Sequence, residues 1–284
     1  MGVESKILLI LQLKRHYKTK EMGNQKLINV TDLSKYLYCQ RQFYLEKVLG
    51  IKKPVTKEMM EGRIIHEVLE IFSKCEREIV EKLENSSDLK KEYLILLNTT
   101  IEKVMFKNNW EINQFSLNKD LIIDKIISRM NKEIELRIIS IKNALAKGFE
   151  KEELWNNLEP KYFSEFQIIS ESLGLKGRID RLILNNGKAE LFELKTREIS
   201  KVYESDEIQI VAYALLIEVE FNQKIDFGFL EAGNQVFKVE IDDNKRKKVI
   251  CLINEMQERL SKKYPSNFSK CERCSYKKEC EDLE

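Results

Sequence analysis

Asp180, Glu193 and Lys195 are residues whose types and spacing allow chemistry. They flank Asn186-Gly187, a dipeptide that favours a two-residue β-hairpin turn and so fixes the register of the two strands. In that register Asp180 faces Glu193, and Lys195 lies on the same face of the hairpin. Two opposed carboxylates repel each other unless a cation lies between them, so the sequence predicts a Mg²⁺ or Mn²⁺ site.

This trio suits the hydrolysis of a phosphodiester bond. A divalent ion lowers the pKa of a bound water and neutralises phosphate charge, while the Lys195 ammonium stabilises the transition state. The alternative is a solvated strand face on which acidic residues fall by chance. Leu182 and Leu191, which the same register places opposite each other, argue against full solvation.

Four of the six cysteines are concentrated towards the two ends of the sequence: Cys39, Cys271, Cys274 and Cys280. No export signal is recognisable, so we expect reduced thiols and not a disulfide framework. One Cys-x-x-Cys pair with two further cysteines is compatible with a Cys₄ zinc site and with a [4Fe–4S] cluster, and spacing alone does not separate them. Cys75 and Cys251 fall in helical patterns and are interpreted as core or surface thiols.

The period of the apolar residues predicts the elements that position these side chains. Helices are predicted over four segments: 33–49, 56–83, 206–220 and 243–264. Strands are predicted over five: 163–170, 175–184, 189–195, 224–231 and 235–241. Thr31 and Asp32 are the expected N-cap of the first helix, and Ser205 is that of the third. The region 85–158, with few Gly or Pro, is predicted to be a helical insertion. The fold class is therefore α/β, a small mixed sheet flanked by helices.

Length and composition set limits on the function. The chain has 284 residues, 43% hydrophobic and 34% charged, which is typical of a folded protein. Its net charge of +2 gives no indication of a nucleic-acid partner. Apolar runs are shorter than the roughly 18 residues of a membrane span, so we expect a cytoplasmic protein without a membrane partner. Residues 1–21 are expected to be a loosely attached strand or an over-extended start.

The motif order resembles the PD-(D/E)xK nuclease core, because Gly177-Arg178-Ile179-Asp180 is followed by Glu193-Leu194-Lys195. The resemblance implies a restriction-endonuclease-like sheet. It also implies that Asp180 and Glu193 bind the metal and that Lys195 acts on the transition state.

Further residues are similar to those of RecB-like nucleases. Gln209 and Tyr213, one helical turn apart, match the QxxxY motif, and His66 matches the histidine of the first helix. The resemblance implies that His66 is a third metal ligand and that Gln209 and Tyr213 orient DNA or the lysine. Glu165 lies on the strand before the hairpin, where this family often carries an accessory acidic residue. For His66 the alternative is a packed or surface histidine. For Gln209 and Tyr213 the alternative is that the two side chains only pack.

The cysteines extend the resemblance to CRISPR-associated RecB-like exonucleases, in which one cysteine precedes the nuclease core and three follow it. The similarity covers residues 31–75 and 160–282, whereas 85–158 is longer than this family leads us to expect. It implies a [4Fe–4S] cluster that joins the N- and C-terminal segments, held by four cysteines: Cys39, Cys271, Cys274 and Cys280. Zinc is the alternative occupant.

The resemblance implies a metal-dependent DNA exonuclease, directed to single strands with 5′ to 3′ polarity, that processes DNA ends for CRISPR spacer acquisition in antiviral defence. The CRISPR integrase complex is then a further partner. The alternatives are a general repair, recombination or viral nuclease, and a non-catalytic DNA-end-binding subunit of an adaptation complex. Asp180, Glu193 and Lys195 are all present, which favours an enzyme.

These observations divide the chain into five segments. They are an N-terminal extension (1–30), a helical segment with the first cysteine and the histidine (31–84), the helical insertion (85–158), the nuclease core (159–264) and a cluster-binding segment (265–284).

Overall fold

The computed structural model describes residues 27–52, 55–83, 88–195, 199–233, 235–259, 271–272, 274 and 276–281. The described helices are α1 Val30–Tyr38, α2 Gln40–Lys47, α3 Lys57–Glu81, α4 Leu89–Lys107, α5 Asn109–Gln114, α6 Lys119–Ala146, α7 Lys151–Asn156, α8 Glu204–Phe221, α9 Asp243–Arg259 and α10 Lys277–Glu281. The described strands are β1 Ile28–Asn29, β2 Lys161–Ser170, β3 Leu175–Asn185, β4 Lys188–Lys195, β5 Phe227–Ala232 and β6 Gln235–Glu240. Residues 1–26 lie outside the described residues, so the interpretation of 1–21 stays a prediction.

The described strands form a mixed sheet in the order β1-β3-β4-β5-β6, and β2 pairs with β3. β1 is parallel to β3, β4 is parallel to β5, and β5 is antiparallel to β6. The parallel β4–β5 pair needs a crossover connection, which α8 provides. The predicted class, a mixed sheet flanked by helices, is confirmed.

The turn between β3 and β4 has the predicted form. β3 ends at Asn185 and β4 begins at Lys188, and the two residues between them, Asn186 and Gly187, have φ values of 49° and 67°. Positive φ at both central positions is the geometry that makes Asn-Gly favourable in a tight hairpin. The opposition of Asp180 and Glu193 stays a prediction from this turn.

The chain separates into two compact units, the first of which includes residues 55–166 and 180–190. In it α3 packs against α4, α6 and α7, and the core includes Ile64, Phe72 and Ile126. Helix α3 begins after Thr56, whose hydroxyl accepts a hydrogen bond from the Met59 backbone N–H, as an N-cap does. The predicted helix 56–83 is confirmed, and helices also occupy most of 89–156, as predicted for the insertion.

The second unit includes residues 27–52, 167–179 and 191–259, together with the described part of the C-terminal segment. In it α1 packs against α8, and α8 packs against β5 and α9. Helix α8 is buried on nearly all sides because its sequence is apolar at almost every position between Ile208 and Ile217.

The single helix predicted over 33–49 is wrong. Cys39 has extended backbone angles, φ −162° and ψ 114°, and separates α1 from α2. The predicted cap at Thr31 and Asp32 is also wrong, because α1 begins after Asn29. Asp32 lies inside the helix, and its carboxylate accepts hydrogen bonds from the backbone and side-chain nitrogens of Asn29 at 3.3 and 2.9 Å.

Two other boundaries differ from the predictions, and a third lies outside the described residues. Ser205 does not cap α8, because α8 begins at Glu204, directly after Tyr203. The first turn of α8 carries three carboxylates, which are favourable at a helix N-terminus. β5 begins at Phe227 and not at residue 224. α9 is described to Arg259, so the predicted end at 264 lies outside the described residues.

Candidate active site

In the first compact unit, His66, Glu165 and Asp180 lie together. His66 lies on α3, Glu165 on β2 and Asp180 on β3, and one ligand atom from each lies within 4.8 Å of the others. The His66 Nδ1 atom is 2.5 Å from Glu165 Oε1 and 3.5 Å from Asp180 Oδ1. One imidazole and two buried carboxylates form a ligand set suited to a divalent cation, whose charge would offset theirs.

Glu165 has an unusual backbone conformation. Its φ is 53°, in the left-handed region, although it lies within strand β2 and is not glycine. This conformation is costly for a residue with a side chain, and such departures inside strands occur next to active sites, where they re-aim a side chain. The carboxylate of this residue is the one that contacts His66. The structure therefore places the accessory residue in the candidate metal site.

In the second compact unit, the Glu193 carboxylate lies at the centre of a polar group on β4 and α8. Its Oε1 atom accepts hydrogen bonds from Lys195 Nζ at 3.0 Å and from Gln209 Nε2 at 2.7 Å. Lys195 Nζ is also 3.1 Å from Asp206 Oδ1. Two carboxylates therefore hold the lysine, and the glutamine holds one of these carboxylates.

The surroundings of Lys195 favour its charged form. Burial disfavours the ammonium, but the carboxylates of Glu193 and Asp206 outweigh this effect and raise the pKa of Lys195 above its ordinary value. A lysine with a raised pKa is suited to stabilising negative charge and not to accepting a proton.

Tyr213 is fixed one helical turn after Gln209. Its hydroxyl donates to the backbone carbonyl of Arg178 at 2.8 Å, and Gln209 Nε2 lies 3.5 Å from the same hydroxyl. Gly177 allows this contact, because a β-carbon there would lie 2.6 Å from the Tyr213 ring. Gln209 and Tyr213 thus contact the Glu193 carboxylate and strand β3, while their predicted role in orienting DNA or the lysine stays a prediction.

The four cysteines predicted to share one site line a single cavity of about 150 Å³ in the second unit. Cys39 comes from the break between α1 and α2, and the described C-terminal residues supply the rest: Cys271, Cys274 and Cys280. Cys39 is 7% exposed and directly precedes α2. The structure thus brings both ends of the described chain to one place.

A buried cation lies in the same cavity. Arg41, which is 5% exposed, lines it beside the cysteines. Burial raises the pKa of the Cys280 thiol, whereas the charge of Arg41 and its hydrogen bond to this thiol act in the opposite direction. Arg41 therefore stabilises a negative charge on Cys280.

Asp206 is the residue of this region that sequence reasoning missed. It is 4% exposed, and it holds Lys195 from the first turn of α8. A signal was available, because Asp206 precedes Gln209 by three positions and so lies on the same helical face as the QxxxY residues.

The PD-(D/E)XK nuclease superfamily matches residues 28–281 of this sequence. The chain therefore belongs to that superfamily. Its members generally use divalent metals such as Mg²⁺ or Mn²⁺, and membership supports a hydrolytic nuclease that binds DNA. No curated protein matches the chain. No helix in the described residues is long and apolar enough to cross a membrane.

Two solved structures are similar to the chain over most of its length. One is a "Putative exonuclease" from Eubacterium rectale, with 11% identity, a TM-score of 0.48 and 94% of each chain covered. The other is SSO0001, with 16% identity, a TM-score of 0.32 and coverage of 97% of this chain and 94% of that one. At these TM-scores the two structures add nothing to what the superfamily match shows.

Proposed function

We propose that this chain is a metal-dependent DNA exonuclease that degrades single strands from the 5′ end. The observation that carries the proposal is the grouping of His66, Glu165 and Asp180, with ligand atoms within 4.8 Å of one another, in a member of a nuclease superfamily. Glu193 is proposed to act with them, as the hairpin register predicted from the sequence would place it opposite Asp180.

The ligand set fits Mg²⁺ or Mn²⁺. Such an ion would activate a water molecule and neutralise charge on the scissile phosphate. His66, Asp180 and Glu193 would hold it, and Glu165 would either bind it or fix the His66 ring through the 2.5 Å contact.

The remaining residues act by position and charge. Lys195 presents a protonated ammonium that stabilises the charge developing on the phosphate. Asp206 fixes the lysine, and Gln209 fixes the Glu193 carboxylate through its 2.7 Å hydrogen bond.

The test is cleavage of end-labelled oligonucleotides, single- and double-stranded, with Mn²⁺, with Mg²⁺ and with EDTA. The proposal expects metal-dependent shortening of single strands from a 5′ label and little attack on circular DNA. Cleavage of circular DNA would contradict the exonuclease assignment. Metal-dependent loss of a 3′ label first would reverse the polarity. No cleavage under any condition would favour a DNA-end-binding subunit.

We also propose that the four cysteines hold a [4Fe–4S] cluster that joins the N- and C-terminal segments. The cavity volume supports this, because about 150 Å³ is well above the roughly 10–15 Å³ that one bound water needs. Four thiolates suit a cluster of this type, and the buried Arg41 offsets part of their negative charge.

Anaerobic purification tests the cluster. The proposal expects a brown protein with close to four irons per chain. Cys274→Ala should lose the colour and lower the melting temperature, because binding free energy here is also folding free energy. Cys251→Ala is the matched control, since Cys251 is exposed and does not line the cavity. Stoichiometric zinc without iron would show that the cysteines bind zinc and not a cluster. An unchanged melting temperature of Cys274→Ala would contradict both the cluster and the zinc site.

The biological role that we propose is the processing of DNA ends for CRISPR spacer acquisition, with the integrase complex as partner. The sequence resemblance supports this role, since a nuclease core lies between one cysteine and three others in the order of that family. Co-purification with the integrase and trimming of DNA ends supplied to it would test the role. A general repair or viral nuclease would cleave DNA without either property.

A further inference from the structure

Arg41 is a buried cation in the cavity that the four cysteines line. It is 5% exposed, and it lies in the first turn of α2, two residues after Cys39. A guanidinium stays protonated and has five N–H donors but no lone pair, so Arg41 cannot be a ligand of a metal bound there. Burial of such a charge is unfavourable unless negative charge lies beside it.

The other charged side chains among the described residues that line this cavity are exposed. Lys277 is 54% exposed and Glu281 is 65% exposed, and their charged groups lie 3.9 Å apart on α10. Solvent screens charges at such positions, and the two opposite signs offset each other. Arg41 is therefore the charge that acts on the cysteines from within the protein.

Arg41 connects the N-terminal cysteine to the C-terminal ones. Helix α10 packs against α2, and the Arg41 guanidinium donates a hydrogen bond to the thiol of Cys280 on α10. Burial and the nearby thiols of Cys271 and Cys39 raise the pKa of Cys280 above its ordinary value, although Arg41 acts in the opposite direction. Three of the cysteines thus act on one another electrostatically, and Arg41 opposes the negative charge that they would share.

A buried cation beside cysteine sulfurs affects redox behaviour. Reduction of an iron–sulfur cluster by one electron adds one negative charge to a site that its four thiolates already make anionic. A positive charge and an N–H donor to a ligand sulfur stabilise the more negative state, which raises the reduction potential. The effect is larger for a buried cation than for an exposed one, because solvent does not screen it.

We propose that Arg41 raises the reduction potential of the cluster held by the four cysteines, by donating to the Cys280 sulfur and stabilising the one-electron-reduced state. This role rests on the cluster proposed above. It gives the cysteine site a property beyond joining the N- and C-terminal segments.

The experiment is a potentiometric titration of the full chain, purified anaerobically, with dithionite as the reductant. Electron paramagnetic resonance measures the fraction of reduced cluster at each potential. Arg41→Gln keeps an N–H donor but removes the charge, and we expect it to lower the equilibrium constant for reduction by at least about tenfold, or about 59 mV for one electron. Arg41→Lys keeps the charge without the planar guanidinium and should recover part of this loss.

Lys277→Gln is the matched control, because this lysine lines the same cavity with the same charge but is 54% exposed. Its equilibrium constant for reduction should change less than about threefold, since water screens the charge. Equal shifts in Arg41→Gln and Lys277→Gln would overturn the proposal. A wild-type potential in an Arg41→Gln chain with its full iron content would also overturn it.

Iron content separates this role from the proposed cluster. A wild-type chain that holds zinc or no metal would contradict the cluster and, with it, the role of Arg41, whereas full iron with an unshifted potential in Arg41→Gln would contradict the role alone. If Arg41→Gln holds no iron, Arg41→Lys is titrated in its place, and a potential equal to that of the wild type would overturn the proposal. Loss of iron from both variants would also overturn it, because Arg41 would then be required for assembly of the site.

Discussion

Two buried clusters of charged side chains lie in the first compact unit, and they are built in opposite ways. In one, the guanidinium of Arg137 lies between the carboxylates of Glu76 and Glu133, and in the other, the imidazole of His66 lies between the carboxylates of Glu165 and Asp180. Both clusters bury carboxylates, which is unfavourable unless a cation or hydrogen bonds offset the negative charge.

In the arginine cluster, a protein side chain supplies the cation that offsets the carboxylates. Arg137 ion-pairs with Glu76 and also donates to Glu133 from Nε at 3.0 Å, while the Tyr93 hydroxyl donates to Glu76 at 2.7 Å. Burial disfavours the charge of Arg137, but the two carboxylates outweigh it and raise its pKa further above the ordinary value. A guanidinium has no lone pair to offer a metal, so this cluster ties α3, α4 and α6 together.

The histidine cluster offers ligands in place of a fixed cation. An imidazole nitrogen and carboxylate oxygens can all bind a metal. The kind of group at the centre, and not the number of buried carboxylates, therefore separates a structural cluster from a candidate metal site.

Replacing Asp180 should have the largest effect on activity. Asp180→Ala should lower cleavage by about 10⁴-fold, or about 5.5 kcal/mol in transition-state stabilisation, because a metal ligand is lost. The melting temperature should be unchanged or higher, since a buried like-charge contact is removed. Rates of cleavage and thermal melting of the same preparation check this. A variant that cleaves at the wild-type rate would place the active site elsewhere.

Replacing Arg137 should lower the stability of the fold. Arg137→Met leaves two buried carboxylates without their cation and should lower the free energy of unfolding by about 3–5 kcal/mol. Urea unfolding checks this. Lys90→Met is the matched control, because Lys90 and Glu135 form an exposed pair at 3.9 Å, worth less than about 1 kcal/mol. Equal losses in both variants would contradict a structural role for the buried cluster.

Lys195→Ala should lower turnover by about 10²–10³-fold while metal binding is retained, because the ammonium acts on developing charge. Single-turnover rates at saturating Mn²⁺ measure this. Lys224→Ala, at a side chain that is 68% exposed, should leave the rate unchanged. A Lys195→Ala variant that cleaves normally would assign this lysine to holding Glu193 and Asp206 only.

Glu165→Gln should have the smallest effect of these variants. If Glu165 orients His66 without binding the metal, the change should weaken metal affinity about 10–100-fold. A greater loss, equal to that of Asp180→Ala, would make Glu165 a ligand. Calorimetric titration with Mn²⁺ distinguishes an orienting role from direct metal binding. An unchanged affinity would show that Glu165 has neither role.

The sequence predicted those parts of the fold that depend on neighbours in the chain. The Asn186-Gly187 turn is confirmed because its two positive φ values are a property of the dipeptide itself. The helices of the insertion are confirmed because the 3.6-residue period is local. The helix break at Cys39 was missed, since the apolar period continues across it and only its backbone angles change.

The parts that could not be predicted are contacts between distant residues. Glu76 and Arg137 are separated by 61 positions, and each reads as an ordinary surface residue of an amphipathic helix. The left-handed conformation of Glu165 is likewise invisible, because the strand pattern around it is regular. The contact of His66 with Glu165, across 99 positions, could be expected only from the family resemblance.

Mn²⁺ binding at the group of His66, Glu165 and Asp180 can be measured without any substrate. Electron paramagnetic resonance measures the free ion as the chain is titrated, with Glu152→Gln, at a side chain 70% exposed, as the control. We expect saturable binding by the wild type and the control, and a loss of more than about 100-fold in His66→Ala and Asp180→Asn, since removing a ligand should exceed the 10–100-fold typical of its supporting residues. Equal binding in all four proteins would contradict a metal site at these residues.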